Sequence, residues 1–484
     1  MVLPCPNVLQ RLRRTSYTAR KHADNAAPEV ILRLFTLSAL ALLVACSETA
    51  DQQSAAEGTT PDGICFARHV IDSSGSGADG VHLGDINADG FIDVVSGWEE
   101  SPALKVYFHP GDARLKLGEP WTFVEASGGS SVPNIQDAAF ADIDSDGRLD
   151  TVVSASAGDP STPGSRRVRI HQLAPDMPVE SAQSWSASAI FSDSPSDHFM
   201  KVRAAQLDGV GAADIVALSR DLYDEGGGPD NPSKAGSVYL FTAPDVNDVA
   251  TPEAWTRTEL GNVRKGKSIE LIDMDQDLDL DIVYAGTSTI AWLKNPGMNA
   301  APDAWESQPI GSASDLAICD INGDGVRDIV ATAWREEFPV VAKWFEPAST
   351  SQGDAIEWIE HSISISKKLP TKFYQLENFA LKSIACGRFR ADAKPNDPAD
   401  IILTTSGSGY GIFLVVAPDN FGKDVGVPWN AAPLTEYKWI TKYDNIITVD
   451  MDADGDTDFV TSEDDKGLLF QGAGVLWYEN TGCR

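Results

Sequence analysis

One short stretch recurs along this chain, and few folds can carry it. Its first copy is Asp85-Ile86-Asn87-Ala88-Asp89-Gly90-Phe91-Ile92-Asp93, running on into Val94-Val95. Oxygen-bearing side chains stand at positions 1, 3, 5 and 9, with Gly at position 6. Alternate side chains of a tight loop converge on one point, and a hard cation such as Ca2+ takes roughly six to eight oxygen ligands in a flexible cage. Gly at position 6 supplies the positive φ that wraps the loop. Position 7, Phe91, adds its backbone carbonyl. An EF-hand does not fit: position 12 is Ser96 rather than Glu, and the flanks are β-branched runs rather than amphipathic helices.

Four further copies keep the ligand pattern. They place Asp142, Asp144, Asp146, Arg148 and Asp150; Asp273, Asp275, Asp277, Asp279 and Asp281; Asp320, Asn322, Asp324, Val326 and Asp328; and Asp450, Asp452, Asp454, Asp456 and Asp458 at positions 1, 3, 5, 7 and 9. The copy at Asp273 has Leu278 where Gly belongs. Two more have decayed. Gln206 to Asp214 keeps the closing Asp-Ile-Val but loses most ligands, and Gly387 to Asp400 is longer and carries Arg388 and Arg390. Recurrence on this scale predicts a propeller or a similar array.

Each repeat has a second half. A hydrophobic strand follows the Asp loop, then a variable loop, then a strand such as Ser237-Val-Tyr-Leu-Phe241 or Val475-Leu-Trp-Tyr478. A last strand opens on Trp, at Trp121, Trp185, Trp255, Trp305, Trp358 and Trp429. With the strand before the loop this gives four short strands per unit and no convincing helix, which is a propeller blade. The repeated aromatics read as blade-to-blade core. The expectation is an all-β, seven-bladed β-propeller of four-stranded antiparallel blades over residues 64–484. Six outer strands follow their loops, and the seventh lies at the other end of the chain: Phe66–Ile71 has the spacing of Trp305–Ile310 and completes the last blade. Cys65 and Cys483 flank that junction and are expected to form a disulfide, whereas Cys319 and Cys386 read as small core residues.

Residues 1–45 stand apart from this fold. An apolar run from Leu34 to Ala45 has the length of a signal h-region and is too short to span a bilayer as a helix. Leu43-Val44-Ala45-Cys46 resembles a bacterial lipobox, with Cys46 the lipidated residue. Residues 46–63 are small, polar and acidic, as in a flexible tether. The chain carries a formal charge of −33; residues 1–45 hold six Lys/Arg and two acids, so the remainder carries −37. Such a surface disfavours nucleic acid and anionic membrane as partners, and membrane contact is expected through the lipid anchor alone.

The Asp-x-(Asp/Asn)-x-Asp-Gly-x-x-Asp-(Ile/Val)-Val loop, the run Trp477-Tyr478-Glu479-Asn480-Thr481-Gly482 and the lipobox together resemble the FG-GAP/VCBS-repeat proteins of bacterial surfaces, whose loops are similar to those of the integrin alpha-subunit propeller. The resemblance covers residues 64–484. It implies Ca2+ in the five well-matched loops, and ligand-binding loops on the face opposite them. On that face the candidates are Trp98, Glu99, Arg220, Tyr223, Trp334, Arg335 and Tyr410, aromatics beside charges that suit carbohydrate or peptide capture. The acidic loops have a plainer reading, as Asx-turns that cap strand ends.

No Gly-x-Ser-x-Gly, His-Glu-x-x-His or phosphate loop is present. The expected function is that of a monomeric, calcium-stabilised, lipid-anchored propeller of the bacterial cell envelope that binds an extracellular glycan or protein. The alternative is a carbohydrate-active enzyme, most plausibly a polysaccharide lyase. A His, Tyr and Arg/Lys cluster at the axial mouth would favour the lyase.

Overall fold

The computed structural model describes residues 63–483, apart from 130–131, 133, 158–166, 191–196, 221–234, 288, 299, 302–303, 334–338, 349–355, 367–379, 410, 420, 422–425, 436–437 and 465–472. The expected lipidation site Cys46, the tether, and the candidates Tyr223, Trp334, Arg335 and Tyr410 lie outside the described residues.

Strands dominate, and among the described residues the longest helix is the four-residue turn Asp112–Leu115. The first blade runs Ala78–Gly84, Asp93–Trp98, Ala103–Phe108 and Thr122–Glu125, hydrogen-bonded antiparallel in that order. Four more sheets repeat this plan. The eight-stranded sheet that remains is two such blades, joined where the long strands Asp400–Gly409 and Lys438–Val449 pair at Ser406↔Lys442 and Gly407↔Thr441.

The sequence explains the layering. Second and third strands are rich in β-branched and aromatic residues and are buried almost throughout, as in Asp93–Trp98 and Ala103–Phe108. Outer strands such as Thr122–Glu125 and Glu306–Gly311 are polar and largely exposed, which protects the free edge of each blade.

The innermost strands are Ala78–Gly84, Ile135–Ala141, His198–Ala205, Ser268–Ile272, Ala313–Cys319, Ala380–Gly387 and Lys438–Val449. Each touches the next, and the last touches the first. The core is correspondingly divided: seven buried apolar clusters lie one at each blade-to-blade interface. The Trp residues that open the outer strands sit in these clusters, and the indole N–H groups of Trp185 and Trp255 donate to Val179 O and Val249 O at 2.9 Å each.

The ring closes through its first strand. Phe66–Asp72 pairs antiparallel with Gly474–Asn480, from Phe66↔Asn480 to Val70↔Leu476. His69 stacks on Trp477 at 4.3 Å and meets Glu479 at 2.8 Å. Cys65 and Cys483 are bonded, with Cα atoms 4.8 Å apart across a sequence separation of 418.

Cys319 and Cys386 are a correction. They are bonded to each other, Cα–Cα 6.5 Å, rather than packed as free thiols. Each stands just before the first loop position of its blade. Equivalent positions on neighbouring inner strands meet, so the two sulfurs face each other across the interface of the fifth and sixth blades.

The closure generates a test. Replacing both Cys65 and Cys483 by Ser is expected to lower stability by about 2–5 kcal/mol, read from denaturant unfolding without reductant. Deleting residues 63–72 should cost more, because it also removes a whole strand pairing. A native unfolding midpoint for the deletion would show that the last blade is complete without it.

Candidate functional site

The two faces of the ring carry different chemistry. On one face the Asp loops join each inner strand to its second strand. In the first loop the Asp85 carboxylate accepts the N–H groups of Asp89 (3.1 Å) and Gly90 (2.9 Å), and Asn87 Oδ1 accepts Asp89 N–H at 3.0 Å. The loops at Asp142, Asp320 and Asp450 repeat the bonds to position 1. The position-6 glycines take φ near +90°: Gly90, Gly147, Gly325 and Gly455 lie at 90°, 91°, 87° and 96°. The Asx-turn reading is thus correct as far as it goes, but these turns also aim the acids at one point. One oxygen each from Asp142, Asp144 and Asp146 lies within 4.8 Å of the others, and the same holds for Asp273, Asp275 and Asp281 and for Asp450, Asp452 and Asp458. Three carboxylates this close repel one another, and an all-oxygen set fits a hard divalent cation.

The loops are not equivalent. In the loop at Asp273 the ammonium of Lys294 is hydrogen-bonded to Asp275 and lies 2.9 Å from Asp277. Leu278 stands there at φ 81°, 90% exposed. In the decayed loop at Gln206 the side-chain amide donates to the carbonyls of Val210, Gly211 and Ala212 at 3.2–3.5 Å. In the loop that ends at Asp400, Arg390 bonds Asp400 (3.0 Å) and Asp419 (3.1 Å). Each of these three carries an internal donor at the place where its neighbours gather acids. At the Asp450 loop, Lys116 approaches Asp452 at 3.3 Å but is half exposed.

The acid at position 9 has a second task. Asp93 accepts the N–H of Ile86 (3.2 Å) and of His109 (2.9 Å). Asp214 likewise takes Leu207 (3.1 Å) and Ala243 (2.9 Å), Asp281 takes Met274 (3.0 Å) and Asn295 (2.7 Å), and Asp458 takes Met451 (3.1 Å) and Asn480 (2.7 Å). Each ties its loop to the end of the third strand. Asp400 likewise takes Ala417 N–H at 2.9 Å, and this accounts for Asp214 and Asp400 standing in loops that have lost most of the ligand pattern.

The opposite face holds a cavity on the ring axis, of about 190 Å³. Each inner strand, or the residue leading into it, lends it a side chain: Asp79, Gln136, Lys201, Lys267, Asp315, Lys382 and Asp444 in blade order. Bulges in six of these strands, such as that between Asp79 and Val81, turn these residues inward. Lys382 pairs with Asp444, and Lys442 with Asp444 (2.8 Å) and Asp464. Beneath them Asp137 takes Val202 N–H (3.0 Å) and Arg203 (2.8 Å). Burial pushes the Asp315 carboxyl up and the Lys267 ammonium down from their ordinary ranges, and holds Lys382 well below the usual lysine value.

Of the expected ligand-binding residues, Glu99 and Arg220 line this cavity. Trp98 is a correction: it is 0% exposed, its indole donates to Tyr107 Oη at 3.1 Å, and it packs in the cluster between the last and first blades. Its side chain turns between the blades, whereas that of the next residue, Glu99, turns to the axis. The convergence of Lys201, Lys267, Lys382 and Lys442 on this cavity depends on the register of the inner strands, which no local motif carries.

An FG-GAP-like repeat model matches residues 85–153 and 253–331, which contain four of the five ligand-keeping loops. No curated protein matches the chain. Among solved structures, an Agrocybe aegerita lectin described as recognising non-reducing terminal N-acetylglucosamine is 14% identical, with 73% of this chain and 79% of that chain covered and a TM-score of 0.40. Penicillium chrysogenum alpha-L-arabinanase in complex with arabinobiose is 10% identical over 88% and 98%, TM-score 0.39. The NanB sialidase of Streptococcus pneumoniae is 8% identical over 91% and 72%, TM-score 0.40. At these values the likenesses identify neither a substrate nor an activity.

The two tasks of the loop acids separate by mutation in the decayed loop. Asp214→Ala strands two N–H groups and is expected to destabilise by about 2–4 kcal/mol, whereas Asp208→Ala changes stability by less than about 0.5 kcal/mol. Burial pushes the Asp214 carboxyl up to about 7. A folded-state value above the unfolded one favours the neutral acid in the fold, so this group's stabilisation falls as pH rises from about 4 to 7. Asp214→Asn should remove that part of the slope, measured by urea unfolding at stepped pH.

Proposed function

We propose that this chain, an FG-GAP-repeat β-propeller, is an exported, calcium-stabilised module that binds an extracellular glycan or protein ligand at the axial cavity. The observation that carries the reading is the division of the ring into two faces. Acidic loops gather on one, and a cavity ringed by charged side chains opens on the other. Two disulfides support export, since such bonds persist in oxidising compartments. Among the described residues no helix is long and apolar enough to cross a membrane. The lipobox at Cys46 supports attachment to the cell envelope through lipid.

Calcium is proposed at the loops that begin at Asp85, Asp142, Asp320 and Asp450. There the carboxylates and the position-7 carbonyl would hold the ion, and the ion would neutralise acids that otherwise repel. The loop at Asp273 is proposed to be served by Lys294 instead, which departs from the expectation of five ions. Binding to the folded state alone stabilises by about 2.7 kcal/mol per site at a hundred-fold excess over Kd. Equilibrium dialysis should count four Ca2+ per native chain and five in Lys294→Met. EDTA should lower the melting temperature, and an unchanged melt would show that the loops bind nothing.

One observation favours the lyase reading as well: Lys267 and Lys382 hold their ammonium groups below the ordinary lysine range, as a general base requires. The described cavity wall brings no tyrosine or histidine to them, and this favours capture over proton abstraction. A glycan and polysaccharide array, run with and without EDTA and assayed for unsaturated products, distinguishes the two. Retention without new double bonds is expected. Unsaturated ends on the recovered polysaccharide would make the protein a lyase.

A further inference from the structure

The cavity wall is not uniform. Its side formed by the third and fourth blades contributes Lys201, Arg220 and Lys267 and no carboxylate. The far side, from the sixth blade round to the first, mixes Lys382 and Lys442 with Asp444, Glu99 and Asp79. On the mixed side the charges are already engaged with each other through Lys382–Asp444, Lys442–Asp444 and Lys442–Glu99 (3.8 Å).

The cationic side is built by backbone contacts. Gly266 N–H donates to Ser219 O at 3.2 Å, and Lys267 N–H to Ala285 O at 2.8 Å. A Cβ on Gly266 would stand 2.4 Å from the Leu218 Cβ, so only glycine allows this approach. The joint sets Arg220 and Lys267 each one residue from it, on adjacent blades. Neither side chain makes a hydrogen bond or ion pair with a described residue. The charges that act on Lys267 are, largest first, Asp315, Lys201, Asp79 and Lys265, and Lys201 itself lies 3.5 Å from Asp137, so the cationic pair left facing the cavity is Arg220 and Lys267. Like charges held together in a half-enclosed space, on a chain of net charge −33, cost free energy unless an anion joins them.

We propose that the axial cavity is an acidic-sugar site: an anionic group on one sugar residue sits between Arg220 and Lys267, and the ring hydroxyls face the carboxylates of the mixed wall. The inference rests on the glycan reading above and narrows it. A planar guanidinium takes a carboxylate or an ester sulfate through paired N–H donors, while Asp79 and Asp444 are acceptors suited to hydroxyl groups. About 190 Å³ is small beside the roughly 300–1,000 Å³ of pockets for drug-sized ligands, so the site takes one terminal or side-chain sugar rather than a length of chain.

The test is calorimetric titration of the full exported chain with D-glucuronate, D-glucose 6-sulfate, D-glucose and inorganic sulfate. Glucuronate, glucose 6-sulfate or both are expected to bind at least tenfold tighter than glucose, with affinity falling as NaCl rises. The first two sugars separate a carboxylate from a sulfate ester. Arg220→Met and Lys267→Met should each lose tenfold or more while keeping the native melting temperature. Arg220→Lys, which keeps the charge but loses the fork, should lose less than Arg220→Met. Glucose binding as well as its acidic forms, or full affinity in both Met variants, overturns the proposal. Lys267-dependent binding of sulfate alone overturns its sugar part and the glycan reading with it. If none of the four binds, the acidic-sugar site is overturned, while retention on the glycan array would leave the broader binding reading standing. Should either Met variant melt early, the Arg220→Lys titration and the salt dependence of the native chain decide.

Discussion

A buried carboxylate at the head of the second strand is the interaction on which each blade depends. Asp93, Asp281 and Asp458 are 0% exposed, and Asp214 is 1% exposed. A carboxylate withdrawn from water is costly unless its lone pairs are filled, and here two backbone N–H groups fill them. One comes from position 2 of the loop, the other from the chain leaving the third strand. The bond pair therefore fixes the loop against the blade's far side. It also satisfies donors that the sheet ladder leaves over where the strands end. Burial pushes Asp93 and Asp458 up to about 7 and Asp328 to about 8.

The loops differ in what their other positions bring beside this acid. In the loops at Asp142 and Asp450 additional carboxylates crowd the same space, an arrangement that could hold a divalent cation. The Asp273 loop keeps its acids and brings an ammonium, Lys294, from the end of the neighbouring third strand. The Gln206 loop keeps only Asp208 beside its closing acid and fills the space with an amide that donates to three carbonyls. The loop that ends at Asp400 uses a guanidinium. Of these three donors only Arg390 meets the closing acid itself; Lys294 meets the acids at positions 3 and 5, and Gln206 meets backbone carbonyls. What all seven repeats keep at the head of the second strand is the closing Asp itself.

Much of this was legible in the sequence. The Asp loops recur in a countable way, each is followed by a β-rich run, and the Trp that opens each outer strand marks a blade. The N-terminal closure followed from counting strands, because Phe66–Ile71 fills the place left vacant after Asn480. Three things were not legible. Cys319 and Cys386 looked like small core residues because their loops lie 67 residues apart; only the register of neighbouring inner strands brings them together. Trp98 looked exposed because charges follow it at Glu99 and Glu100, yet its ring lies under Lys105, 4.6 Å from the centroid, inside a blade interface. Lys294 ends the third strand of its blade, one strand beyond the strand that follows its loop, where a motif centred on the loop does not reach.

The axial cavity is the least local feature of the molecule, and its dimensions depend on the closure. It takes one contribution from each inner strand between Asp79 and Asp444, so no stretch of sequence contains it. Its mixed wall spans the junction of the last and first blades: Lys442 reaches Glu99 there, and the Asn445 amide donates to Val81 O at 2.8 Å. Phe66–Asp72 and the Cys65–Cys483 bond hold that junction at the rim. A ring free to open there would lose the opposition between its two charged walls, and with it the pre-organisation that lets a site bind without first ordering itself. The same covalent and strand pairing that stabilises the fold therefore sets the distance across the cavity.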